Sequence, residues 1–171
     1  MDYTPEVVEK LAPLVDEGVL QLWASSGYGL PEDNYFRLVD PLPIMELLPA
    51  LYEDYTNGVP ILSTAFGDLI VFQDESYIVL RFRDRVARIV GVRLEYLLHD
   101  LKSDFFRKEM FNPFLFAETA AKVGAPADNK QFTIELHPTV DGQNSATLKI
   151  AELLSVLENF ATNEPPLEKA S

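Results

Sequence analysis

The sequence predicts an α+β fold: an antiparallel sheet of about five or six strands with helices packed on it. Three observations predict it. Four apolar runs, 59–64, 69–73, 76–82 and 85–90, are separated only by the turn signals Gly67-Asp68, Asp74-Glu75-Ser76 and Asp84, the pattern of a meander. The segments on either side switch to helical spacing, as in Leu94, Leu97, Leu98 and Leu101. The 171 residues are 47% hydrophobic and 11% aromatic, enough for a packed core.

Taken in order, Thr4 before Pro5 starts a helix: a hydroxyl cap followed by a proline whose missing N–H costs nothing there. Val7, Val8 and Leu11 form its stripe, which Pro13 interrupts. Asp16 caps a second helix carrying Val19, Leu20, Leu22 and Trp23. That helix closes in S-S-G-Y-G, with Gly27 as the left-handed cap. Residues 35–39 read as a short strand, and Asp40 to Pro43 turn into a third helix around I-M-E-L-L-P-A-L-Y.

In the meander, L-I-V-F (69–72) does not alternate, which predicts a strand buried on both faces. Arg81, Arg83 and Arg85 share one face if the strand stays regular through Asp84. After the leucine helix, Asn112-Pro113 starts F-L-F-A-E-T-A-A-K-V, which Gly124 closes. Strands at 131–136 and 146–150 bracket V-D-G-Q-N-S, and a last helix packs Leu153, Leu154, Leu157 and Phe160 inward. One compact unit is expected over 1–163, with any sub-boundary near 91–110, and 164–171 as a disordered tail.

The net charge is −13. It argues against nucleic acid and anionic membranes as partners, and it suits a basic protein. Residues 1–60 carry net −9, residues 61–110 net 0 and residues 111–171 net −4, so the first third supplies the acidic face. No cysteine is present, which removes disulfides and thiolate metal sites. The acidic start, M-D-Y-T-P-E, lacks the features of a signal peptide, and no apolar run is long enough for a membrane span, so a cytoplasmic protein is expected.

Chemistry finds little support. His99 and His137 lie outside metal-binding spacing, so no metal is expected. His99, Asp100, Ser103 and Asp104 are close in sequence, but no G-x-S-x-G elbow accompanies them. G-Y-G at 27–29 lacks a third glycine, and no phosphate loop occurs, so no cofactor is expected. The paired acids Glu53-Asp54 and Asp74-Glu75 read as solvated loop residues.

W-A-S-S-G-Y-G (23–29), Y-F-R-L-V-D-P (35–41) and V-P-I-L-S-T-A-F-G-D-L-I-V-F (59–72) then fall in a telling order. R-V-A-R-I-V-G, D-F-F and F-L-F-A-E-T-A-A-K-V-G follow. Over residues 17–161 this series resembles the GAD-like domain joined to the C-terminal domain of type VI secretion DNase immunity proteins. T-A-F-G-D is its most specific piece. P-E-D-N after the glycines replaces a longer glycine-rich loop of that family.

The resemblance implies a protein that is not an enzyme and binds a basic nuclease toxin 1:1, occluding its active site or DNA groove. A cytosolic scaffold or regulatory module of the same fold is the alternative. Acidic residues around an aromatic anchor would form such an interface. The candidates are Glu32, Asp33, Tyr35, Glu53, Asp54, Tyr55, Asp74 and Glu75, with Trp23 assigned to the core. On the same reading Gly67 and Asp68 are structural: a glycine able to take positive φ and a turn carboxylate.

Overall fold

The computed structural model describes residues 3–27, 29–32, 34–82, 85–111, 113–126, 130–138 and 144–163. The tail expected over 164–171 lies outside them. Helix α1 (Pro5–Leu11) starts as its sequence demands, with the Thr4 hydroxyl accepting from the Val7 N–H. A single 3₁₀ turn at Ala12–Leu14 carries Pro13. Helix α2 (Glu17–Ala24) is capped by Asp16, whose Oδ1 accepts from the Val19 N–H at 2.9 Å. Gly27, at φ +86°, lets its N–H reach back to the Leu22 carbonyl and end the helix.

The central sheet is a five-stranded antiparallel meander in sequence order: β1 (Phe36–Leu38), β2 (Val59–Thr64), β3 (Leu69–Gln73), β4 (Ser76–Arg81) and β5 (Val86–Gly91). Helix α3 (Pro41–Leu51), capped by Asp40, and a 3₁₀ turn at Glu53–Tyr55 connect β1 to β2. Beyond β5 come α4 (Leu94–Asp100), α5 (Asp104–Met110) and α6 (Pro113–Val123). A separate hairpin, β6 (Lys130–Pro138) with β7 (Asn144–Glu152), precedes α7 (Leu153–Asn163).

Helices cover both faces of the sheet, which accounts for the unalternating runs. On one face Ile61, Ile70, Phe72, Tyr77 and Val79 join Leu11, Val19, Leu22 and Trp23 and the α4 leucines. On the other, Leu69, Val71, Ile78, Leu80 and Phe82 join Ile44, Leu48 and Leu51 of α3 and Leu153 and Leu157 of α7. Trp23 is core, stacked on Tyr3 at 4.9 Å. The run of alternating arginines does not form one strand face: β4 ends at Arg81, and Arg85, at φ +54°, lies in the connection to β5.

The hairpin β6–β7 docks on the β2–β3 turn. The Phe132 N–H donates to the Ala65 carbonyl at 2.8 Å, and the Arg37 guanidinium donates to the Lys130 carbonyl. Between these contacts Gln131, only 1% exposed, lies flat against Gly67. A Cβ at residue 67 would stand 2.5 Å from Gln131 Cδ, and Gly67 has φ +85°. The positive φ favours glycine, and a Cβ would also push the Gln131 amide out of its place.

Gly67→Ala is expected to cost about 2–4 kcal/mol, the sum of left-handed backbone strain and overpacking. Adding Gln131→Ala should return the overpacking part. Urea unfolding of the two variants checks this, and a Gly67→Ala protein as stable as wild type would refute the docking geometry.

Candidate functional site

The T-A-F-G-D turn holds a buried carboxylate, and its wiring decides its role. The Thr64 Oγ1 accepts from the Phe66 N–H (3.2 Å) and the Asp68 N–H (3.1 Å) and donates to Asp68 Oδ2 (3.1 Å). The backbone closes the same loop, with the Thr64 N–H on the Asp68 carbonyl and the Gly67 N–H on the Thr64 carbonyl. Asp68 is 9% exposed. Its carboxylate orients the threonine hydroxyl that ties the turn, which is a structural task.

The predicted interface residues separate into two groups. Gln73 Nε2 donates to the Asp54 carbonyl at 3.0 Å and to Asp74 Oδ2 at 3.3 Å. That one side chain pins the 3₁₀ turn at Glu53–Tyr55 to the β3–β4 hairpin tip. Glu53, Asp54, Asp74 and Glu75 are all exposed there, so two acidic pairs 20 residues apart form one acidic end of the sheet. Tyr55 is half-buried beside them, its ring 5.9 Å from Tyr52; burial, then the Asp54 charge, pushes its phenol pKa up. The tip turns through Asp74 at φ +50° and Glu75 at φ +57°, a left-handed pair that ordinarily favours Asn-Gly.

Glu32 is exposed in the loop that enters β1 beside Thr64, at the opposite end of the sheet, and Asp33 lies outside the described residues. Tyr35 is a correction. It is 1% exposed, because the Ala65 N–H holds its carbonyl and its ring packs edge-on against Phe36, Phe111 and Phe116, with the Arg107 guanidinium 5.3 Å from its centroid. A ring so enclosed anchors the core and presents nothing to a partner.

The same acidic end holds residues that sequence reasoning did not assign to a surface. Tyr77 at the start of β4 donates its hydroxyl to Asp16 Oδ2 at 2.7 Å, which brings the start of α2 to the hairpin tip. The end of β5 pairs there too, with Gly91 opposite Tyr77, so α4 begins beside α2. Between them runs an open groove of about 690 Å³. Glu17 and Glu95, in the first turns of α2 and α4, border it.

Ser103 caps α5 through the Phe106 N–H, so the sequence cluster around His99 is a helix junction. Among the described residues no three His, Cys, Asp or Glu side chains converge as a metal site, and no helix is long and apolar enough to cross a membrane.

No family model and no curated protein matches the chain. Among solved structures it is similar to the crystal structure of Atu4351 from Agrobacterium tumefaciens. The TM-score is 0.76 at 13% identity, over 97% of this chain and 84% of that one. At this identity the likeness shows the fold alone.

Asp68→Asn is expected to fold and to cost at most about 1–2 kcal/mol, since the amide keeps an acceptor for the Thr64 hydroxyl. Thr64→Val should cost more, about 2–4 kcal/mol, by stranding the Phe66 and Asp68 N–H groups. Chemical denaturation ranks the two, and the reverse order would refute the wiring.

A pH effect follows from three phenols. Burial first raises the pKa of Tyr3, Tyr52 and Tyr77, helped by Asp40, Asp68 and the Asp16 hydrogen bond respectively. Their neutral form is favoured only in the fold, so the stability they contribute is complete below the unfolded value of about 10 and is lost as pH rises beyond it. Urea midpoints should hold between pH 8 and about 9.5 and fall steeply above about 10.5. A midpoint still unchanged at about pH 11 would contradict this burial.

Proposed function

We propose that this protein is an immunity protein that binds a basic nuclease toxin of a type VI secretion system 1:1 in the cytoplasm and neutralises it by occlusion. The observation that carries the reading is the acidic end of the sheet, where Gln73 gathers Glu53, Asp54, Asp74 and Glu75 into one exposed patch. The net charge of −13 and the T-A-F-G-D resemblance support it. A nuclease needs a basic groove to hold DNA, and a rigid acidic edge is attracted to that groove and competes with phosphate. The inhibition needs no chemistry by this chain: it occupies the groove.

Occlusion is stoichiometric. Titrated against its cognate nuclease domain, well above Kd, the protein should abolish DNA cleavage near one equivalent. Protection at about a hundredth of an equivalent would instead indicate turnover and overturn the reading. Reversing Asp74 and Glu75 to lysine should slow association at least about tenfold at low salt, and the difference should shrink near 0.5 M salt as screening sets in.

A further inference from the structure

The outer edge of β5 is open. In the order β1-β2-β3-β4-β5 this strand ends one side of the sheet, so its outward N–H and C=O groups pair with no further strand among the described residues. Beyond β4 its backbone has one hydrogen bond among those residues, from the Tyr52 hydroxyl to the Val86 carbonyl at 3.4 Å. Four residues keep regular register with β4: Val86 with Arg81, Ala87 with Leu80, Arg88 with Val79 and Ile89 with Ile78. The register shifts only after Ile89. An antiparallel ladder turns every second residue of such a run outward, and those groups are the template on which an extended chain adds itself to a sheet. Edges are commonly blunted by proline or by several charges; here no proline stands in the run and Arg88 is its one charge.

The side chains name the occupant. Ile89 lies opposite Ile78, on the face that α3 and α7 cover further in, and is 63% exposed. Ala87 shares that face. Arg88 lies opposite Val79 on the other face, is exposed, and has no hydrogen bond or ion pair among the described residues. A strand laid beside β5 must therefore cover an isoleucine on one face and meet a bare guanidinium on the other. Alternating apolar and acidic residues do both. The surrounding charge agrees: residues 85–93, R-V-A-R-I-V-G-V-R, carry three arginines and no carboxylate in a chain of net charge −13. A second copy fits poorly. Antiparallel self-pairing about Arg88 sets that arginine against itself, and pairing about Ile89 sets Arg85 against Arg93. A basic segment meets the same repulsion.

We infer that the β5 edge takes an extended segment of a protein partner, alternating apolar and acidic, as a sixth strand of the sheet. The inference does not rest on the nuclease reading: the acidic tip attracts basic surface, and this edge attracts acidic chain.

The full chain, labelled with ¹⁵N, is titrated with acetyl-Val-Glu-Val-Glu-Val-amide, with its lysine counterpart, and with the glutamate peptide N-methylated at every backbone amide. Saturable shifts at the amides of 86–89 are expected with the glutamate peptide, with slowed hydrogen exchange at every second one. The lysine peptide should bind at least about fivefold more weakly, and the N-methylated peptide should not bind. Arg88→Glu, at an exposed position without a partner in the fold, should reverse the order of the two charged peptides and leave the rest of the spectrum in place. No shift at any amide, shifts centred on another element, equal binding of the glutamate and lysine peptides, binding that survives N-methylation, or an unreversed order in Arg88→Glu would each overturn the inference. So would outward β5 amides that resist exchange before any peptide is added, because the edge would then be occupied by this chain or by a second copy.

Discussion

The contact between Gly67 and Gln131 is the constraint on which the assembly of this fold depends. Residue 67 must turn left-handed to pass β2 into β3, and its missing side chain is where β6 arrives. The Thr64 hydroxyl holds that turn from inside, so the carbonyl of Ala65 faces outward to take the Phe132 N–H. One five-residue turn therefore joins the meander to the hairpin formed more than 60 residues later. Phe66 and Phe132, with ring centroids 5.4 Å apart, make the join apolar as well as hydrogen-bonded. Asp68, buried in that turn, accepts from the threonine hydroxyl beside it and so helps hold the loop.

Helices cover both faces of β2, β3 and β4, and among the described residues of β2 to β5 the open surface is at β5, where Arg88 and Ile89 are exposed. Glu53, Asp54, Asp74 and Glu75 lie instead at one end of the sheet. This is why the acidic pairs, unremarkable as loop residues, acquire meaning together. Their gathering depends on Gln73, the polar residue that ends the run L-I-V-F. It costs backbone strain too: Asp74 and Glu75 occupy φ values that glycine or asparagine take more readily. A sequence optimised for stability alone would place Asn-Gly at this tip, and carboxylates stand there instead.

Much of the fold was legible because its signals are local. Thr4, Asp16 and Asp40 cap the helices their positions announce, and β2 and β3 occupy the very residues their apolar runs mark. Helix α5 was not foreseen, since Ser103 drew attention as a neighbour of His99 rather than as a cap. The site was less legible. Tyr35 sits at the head of a strand, where an aromatic side chain can face either way, and only the distant Phe111 and Phe116 decide that it faces in. Gln73 and Gln131 act over 19 and 64 residues, and no spacing in the sequence betrays contacts of that reach. Glu17 and Glu95 drew no reading from the sequence, because their shared border on one groove is a tertiary fact.

The division of labour between the two ends of the sheet follows from the same geometry. At the Thr64 end, polar groups face inward: Thr64 and Asp68 satisfy each other, and Arg37 reaches the hairpin backbone. The buried charge there is engaged within the fold, while Glu32 stays exposed in the loop that enters β1. At the Asp74 end, the starts of α2 and α4, the 3₁₀ turn and the hairpin tip converge, and each is a place where carboxylates are locally favoured or tolerated. Capping and dipole effects thus collect acids at one end before any partner is considered. The hairpin tip adds Asp74 and Glu75 to that set, in left-handed backbone that capping and dipole effects do not account for.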